Sequence, residues 1–218
     1  MIKIESLREL KTTYCYLLMS FASLLFALLC CFPKSESFQL LNLFHCKGLD
    51  QFFIHITWLG DGIFILLIII ILTSEKKYLL SLKIVSAYLI SGLVVQIIKN
   101  IIDIPRPASY FNGTNILKLV DGITYYHHSS FPSGHTTTAF AISIIFAFNG
   151  AHKLTSVLLF ILAFLVAYSR IYLGQHFPED VLAGMLIGSF IGMQVHYNIP
   201  KLVRLNLKVK QRKELSFQ

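Results

Sequence analysis

Charge is scarce in this chain. Only 14% of its 218 residues are Asp, Glu, Lys or Arg, where a soluble domain carries roughly 25%. The deficit lies in long apolar runs. Long polar stretches that could hold a second fold are missing, as are internal repeats and low-complexity segments. Cysteine is nearly absent: Cys15, Cys30, Cys31 and Cys46 have no metal-ligand spacing, and the first three fall in an apolar run where free thiols act as small hydrophobes. These absences exclude a soluble globular domain, a disulfide framework and a structural zinc site. What is abundant is hydrophobic: 55% of residues, with a mean hydropathy of +0.66. The expected class is an all-α, polytopic membrane protein with one membrane domain over residues 1–218.

Acidic residues are outnumbered 11 to 19 by basic ones, for a net charge of +8. Lys201, Arg204, Lys208, Lys210, Arg212 and Lys213 cluster in a tail (199–218) that follows an apolar run. That placement reads as a cytoplasmic flank with affinity for anionic headgroups, not as a nucleic-acid-binding arm.

Six spans are expected, at about 14–32, 52–73, 78–98, 136–148, 154–173 and 180–195. The first has Lys11 before it like a signal peptide, but it is nearly a full bilayer span and lacks an A-x-A-like cleavage site, so a retained helix is expected. Leu40, Leu41, Leu43 and Phe44 suggest a short helix lying at the interface. In the second span Gly60-Asp61-Gly62 places a carboxylate in an apolar run, where it must face the bundle or the surface. His127-His128 resembles a metal pair but has no third ligand at a sensible spacing.

With six spans, the side that receives both termini, the 74–77 and 149–153 turns and Lys83 holds 13 of the 19 basic residues. That side is expected to be cytoplasmic. Both long loops then face outward, and with them three polar clusters: Lys99-x6-Arg106-Pro107, Pro132-Ser133-Gly134-His135, and Ser169-Arg170-x5-His176-x3-Asp180.

Together these fit phosphoryl transfer. Lys99, Arg106 and Arg170 can hold anionic oxygens, the arginines as bidentate forks. Ser133 and the backbone N–H groups of Gly134 and His135 lie at an expected helix N-terminus, a natural anion site. Two histidines remain for two tasks. Asp180, four residues after His176, can fix one ring nitrogen and leave the other free to attack phosphorus. His135 is then the acid for the departing alkoxide. The cations cover the developing charge, so neither metal nor cofactor is required.

The three clusters resemble, complete and in order, the signature motifs of the type 2 phosphatidic acid phosphatase family, lipid phosphate phosphatases related to vanadium haloperoxidases. The resemblance covers about residues 50–195. It implies a six-helix membrane bundle with its site at the outer ends of helices 3–6. It also implies a His176 nucleophile paired with Asp180, His135 as acid, and Lys99, Arg106, Ser133, Gly134 and Arg170 around the phosphate. The expected protein is a bacterial inner-membrane lipid phosphatase working through a phosphohistidine at the outer leaflet. Phosphatidate, phosphatidylglycerol phosphate, undecaprenyl pyrophosphate and lipid A phosphates all suit the cradle. Segments 33–51 and 108–131 are expected to select among them. Alternatives are a vanadate-dependent oxidase, a non-catalytic transporter or scaffold of the same fold, and a phosphatase for small soluble esters. The oligomeric state is left open.

Small residues recur at four-residue steps beneath the site: Ala139, Ser143 and Ala147 below His135; Gly184, Gly188 and Gly192 below Asp180; Ala163 and Ala167 below Arg170. Gly92 sits with Gln96 on the Lys99 face. This spacing predicts a tight bundle of spans three to six with spans one and two more peripheral.

Overall fold

A computed structural model describes the backbone of residues 4–150 and 152–216 and the side chains of 12–150 and 152–207. The basic side chains beyond Leu207, and Lys11 at the other end, lie outside the described residues. The described chain is helical: α1 (Ile4–Cys31), α2 (Lys34–Leu41), α3 (Lys47–Ile56), a 3-10 turn (Thr57–Gly60), α4 (Gly62–Ser74), α5 (Tyr78–Ile101), α6 (Pro107–Tyr110), α7 (Gly134–Phe148), α8 (Lys153–Tyr172) and α9 (Pro178–Ser216).

Among the described residues three helices are long and apolar enough to cross a membrane: Thr12–Cys31 within α1, α5, and α8. The pair α3–α4 makes a fourth, bent by 54° at Asp61. Asp61 thus sits at the break and caps α4, its Oδ1 accepting from Ile63 N at 2.9 Å. The α7 helix is apolar but only 15 residues long. The expected boundary between a sixth span and a separate tail is not a break in the chain, since α9 runs through Pro200 to Ser216 as one helix.

The α7 helix is the axis of the bundle. All but three of its fifteen side chains are buried, and it packs against α9, α8, α5 and α1. Its seam with α9 is sealed by the glycine ridge. A Cβ at Gly184 would lie 2.7 Å from the Ser133 carbonyl, and at Gly192 2.5 Å from that of Ala141. At Gly188 it would fall on the Thr137 carbonyl. The predicted close approach is therefore present, but on the Ser133–Thr137–Ala141 line of α7. Ala139 and Ala147 belong instead to the core shared with α1 and α8, beside Tyr14, Leu18, Phe160 and Ala163.

Two expectations change. Span one is less peripheral than expected: Tyr14, Leu18, Ala22 and Leu25 of α1 are buried, and Tyr14 hydrogen-bonds Ser143 of α7. Gly92 is not at a helix contact, because a Cβ there would meet nothing within 4 Å. With Gln96 it lines an open cleft of about 520 Å³ between α4, α5 and the start of α7. The second span meets the expectation only in part: α4 is peripheral, burying only Ile65 and Leu72, but α3 packs against α8 and the 3-10 turn against both α7 and α8.

Candidate active site

The third cluster begins where α8 ends. Gly174, at φ +62°, turns the chain in the left-handed region that glycine tolerates. Asn42 Nδ2 donates to the carbonyls of Ile171 and Tyr172 at 2.8 Å each, satisfying the exposed helix end. The turn closes with His176 N donating to Arg170 O at 3.1 Å. Phe177 is buried against Phe38, Phe111 and Tyr110, and Lys34 lies 3.9 Å above its ring while pairing with Glu179 at 2.8 Å. Pro178 opens α9 at the position where a missing N–H costs nothing. So α2 and Asn42 clamp the turn that carries His176.

His176 and Asp180 are both buried, with Nδ1 3.5 Å from Asp180 Oδ2. That is longer than a hydrogen bond, and such pairs tighten when substrate binds. Asp180 Oδ2 also accepts from Ser130 Oγ at 2.5 Å and Phe177 N at 2.9 Å, which hold the carboxylate in place. On the other edge of the ring, Nε2 is 3.5 Å from Arg106 Nη1. Burial first, then the charges of Arg106, Arg170 and Lys99, push the His176 pKa well below its ordinary 6.5. The imidazole is therefore neutral at physiological pH, with a lone pair available.

The cations converge from three elements. Arg106 caps α6; its Nε donates to His128 O at 2.9 Å and its Nη1 to Gln175 O at 3.2 Å, with the Tyr126 ring 5.3 Å away. Lys99, in the last turn of α5, donates to the Ser129 carbonyl. Arg170, in the last turn of α8, is buried and donates to Thr57 Oγ1 at 2.8 Å, while its Nε has no hydrogen-bond partner. Ser133 caps α7; its N donates to Asp180 O at 3.0 Å, tying the second cluster to the third. Gly134 opens α7 with only Val95 near its missing Cβ, at 3.8 Å. His135 follows, with Nε2 3.8 Å from Asp61 Oδ2.

All eight residues singled out in the sequence thus gather at one end of the bundle. The other polar residues of the loop have local duties: His127 Nδ1 is 3.1 Å from Ser109 Oγ, and His128 Nδ1 is 3.5 Å from Asp103 Oδ2. Four supporting residues escaped sequence reading: Thr57 on Arg170, Gln175 on Arg106, Ser130 on Asp180 and Asn42 on the α8 terminus. Nothing in the chain marks Ser130 or Asn42, whose partners are 50 and 129 residues away. Asp61 was visible as a lone carboxylate, but its partner was not.

Comparison with known proteins gives the family and the fold. Residues 80–204 match the PAP2 superfamily. The chain is 34% identical over 146 residues to the bacitracin transport permease protein BcrC of Bacillus licheniformis, covering 64% of this chain and 68% of that protein. It is 31% identical over 153 residues to the undecaprenyl-diphosphatase BcrC of Bacillus subtilis, covering 68% and 74%. Its fold is similar to the crystal structure of Aquifex aeolicus LpxE, with a TM-score of 0.65 and 34% identity over 73% of this chain and 92% of that one.

Proposed function

The chain belongs to the PAP2 superfamily, and from that premise we propose that it is a membrane-embedded phosphatase for a lipid phosphate or diphosphate, working at the outer leaflet through a phosphohistidine. One observation carries the reading. His176 is buried and neutral, with one ring nitrogen facing a fixed carboxylate and the other beside Arg106, amid two further cations. A neutral imidazole held beside cations is set to attack an anionic phosphorus centre.

In the proposed reaction His176 Nε2 attacks phosphorus and the bond to the leaving oxygen breaks. His135 gives that oxygen a proton. Lys99, Arg106, Arg170 and the backbone N–H groups at the start of α7 balance the charge on the remaining oxygens. The unpartnered Nε of Arg170 is a donor available to one of them. Water then attacks the phosphohistidine, His135 takes its proton, and inorganic phosphate leaves. Asp180 keeps the nucleophile's tautomer throughout.

The proposed topology is one domain with six crossings: α1, bent α3–α4, α5, α7, α8 and the first half of α9, both termini cytoplasmic in a bacterial plasma membrane. The charge count supports this orientation. A reactive end at the membrane surface lets a headgroup enter while its chains remain in lipid. The undecaprenyl-diphosphatase among the relatives puts a prenyl diphosphate first among substrates. A relative named for transport favours the transporter reading, but a pure transporter has no need of a His–Asp pair facing three cations.

Phosphate release from phosphatidate, phosphatidylglycerol phosphate, undecaprenyl diphosphate and lipid A by the purified full-length protein is the test. Release is expected, greatest with the prenyl diphosphate, and His176→Ala should lower it by more than about a thousandfold. Equal release by the variant would remove His176 from the nucleophile's role.

A further inference from the structure

Asp61 is the only acidic residue in the apolar run 52–73; its charge bears on Arg170 of the cradle, and it lies on the far side of the site from the nucleophile's own carboxylate, Asp180. Its cap on α4 occupies Oδ1 alone. Its other oxygen lies 3.8 Å from His135 Nε2. The local chain is shaped around this approach. A Cβ at Gly60 would be 2.9 Å from the His135 carbonyl and 3.1 Å from its Cβ, so only glycine lets the turn lie against His135. A Cβ at Gly62 would strike the Tyr88 hydroxyl. The same turn supplies Thr57 to Arg170. A bend of 54° within an apolar segment leaves backbone groups that lipid cannot satisfy, and it is tolerated where it lines a cavity. Here it lines the cleft that opens beside His135.

The charged or titratable groups that bear on His135 from the packed elements are Arg170, His176, Arg106 and Lys99. Burial of the ring opposes a protonated imidazole first, and each of these groups, when charged, adds to that. A proton donor there needs a counter-charge, and Asp61, with Oδ2 at 3.8 Å from Nε2, is the carboxylate at ion-pair distance.

We infer that Asp61 is a positioning residue for His135, orienting the ring and favouring its protonated form so that it can give a proton to the leaving group and then take one from water. This rests on the reading of His135 as the acid. The site then contains two His–Asp pairs, one serving attack and one serving proton transfer.

Asp61→Asn is the informative change, because asparagine caps a helix as well as aspartate does and removes only the charge. Phosphate release from dioleoyl phosphatidate and from undecaprenyl diphosphate is measured across pH for the wild type, Asp61→Asn, His135→Ala and the double variant, with thermal unfolding of each. Expected for Asp61→Asn are an unchanged unfolding temperature, a KM within about twofold, and a kcat lowered about tenfold. The alkaline limb should move down by about one pH unit, since an acid without its counter-charge loses its proton sooner. In the His135→Ala background the same change should add nothing. Wild-type kcat and pH profile in Asp61→Asn would overturn the inference, as would an equal further loss in the His135→Ala background. Full activity in His135→Ala would instead overturn the assignment of the acid, which separates the two failures.

Discussion

The two His–Asp pairs lie on opposite sides of the start of α7, and their surroundings differ sharply. His176 and Asp180, on the α9 side, have side chains 3% and 0% exposed. His135 and Asp61, on the α4–α5 side, are 31% and 46% exposed. The α9 side is closed because three glycines bring backbone against backbone. The other side is open because a Cβ at Gly92 would meet nothing within 4 Å and a cleft lies between α4, α5 and the start of α7. The difference suits the two tasks proposed for them. A nucleophile must stay neutral, dry and fixed in one tautomer, whereas a proton-transfer group must reach both a leaving group and water. Small residues thus have opposite consequences in neighbouring helices: in α9 they close a seam, in α5 they leave a gap.

Replacing Gly188 by Leu tests the closed side most severely. A side chain there must displace the Thr137 backbone, which carries α7 and with it Ser133 and His135. The expected cost exceeds about 3 kcal/mol, seen as loss of folded protein or of activity in detergent. Unchanged unfolding temperature and activity would break the comparison. Ser130→Ala probes the same side more gently. It removes the hydrogen bond to Asp180 Oδ2 and leaves a buried carboxylate under-satisfied, for about 1–3 kcal/mol. A roughly tenfold drop in kcat is expected with KM little changed; a loss confined to KM would show that Asp180 does not depend on this bond.

The pH dependence sharpens the contrast further. The folded pKa of His176 is depressed, so between about 6.5 and that lower value the unfolded chain binds a proton that the folded protein does not. Stability therefore falls as pH drops below about 6.5, and above it His176 contributes no pH dependence. The unfolding temperature should decline less between pH 7 and pH 5.5 in His176→Gln than in the wild type. Identical declines would show that the residue is not held neutral. The acid limb of kcat/KM should likewise lie below 6.5. The smallest effect belongs to the open side: Gly92→Ala meets no atom within 4 Å and should leave stability unchanged or raise it by about 0.5–1 kcal/mol. Destabilisation there would mean that the cleft is closed in the membrane.

Much of the site was legible because phosphoryl chemistry needs particular residue types, and Lys99, Arg106, Arg170 and two histidines are costly to keep beside apolar helices without an anion to hold. The glycine ridge of α9 was legible for a similar reason, since four-residue spacing puts residues on one helical face. Its partner was not. Small residues below His135 looked equally suited to close contact, yet the α9 glycines settle on the neighbouring line through Ser133, Thr137 and Ala141. Helix rotation about its own axis is decided by all neighbours together, and no local pattern encodes it. Thr57, Ser130 and Asn42 were hidden because a single hydroxyl or amide has no periodicity, and each acts on a segment 50 or more residues away.

The chain by itself determined that this is a helical membrane protein with a phosphate-handling site, because long apolar runs require lipid around them and clustered cations require an anion between them. It also singled out the residues proposed to perform the chemistry. Only the tertiary structure decided how they are divided: which histidine is enclosed and which stands at an open cleft, and which carboxylate faces each. Those assignments depend on how closely two helices approach and where a third one bends. Asp61, isolated in its apolar run, acquires a partner only because the turn Thr57–Gly60 packs against the start of α7 and sets the next residue beside His135.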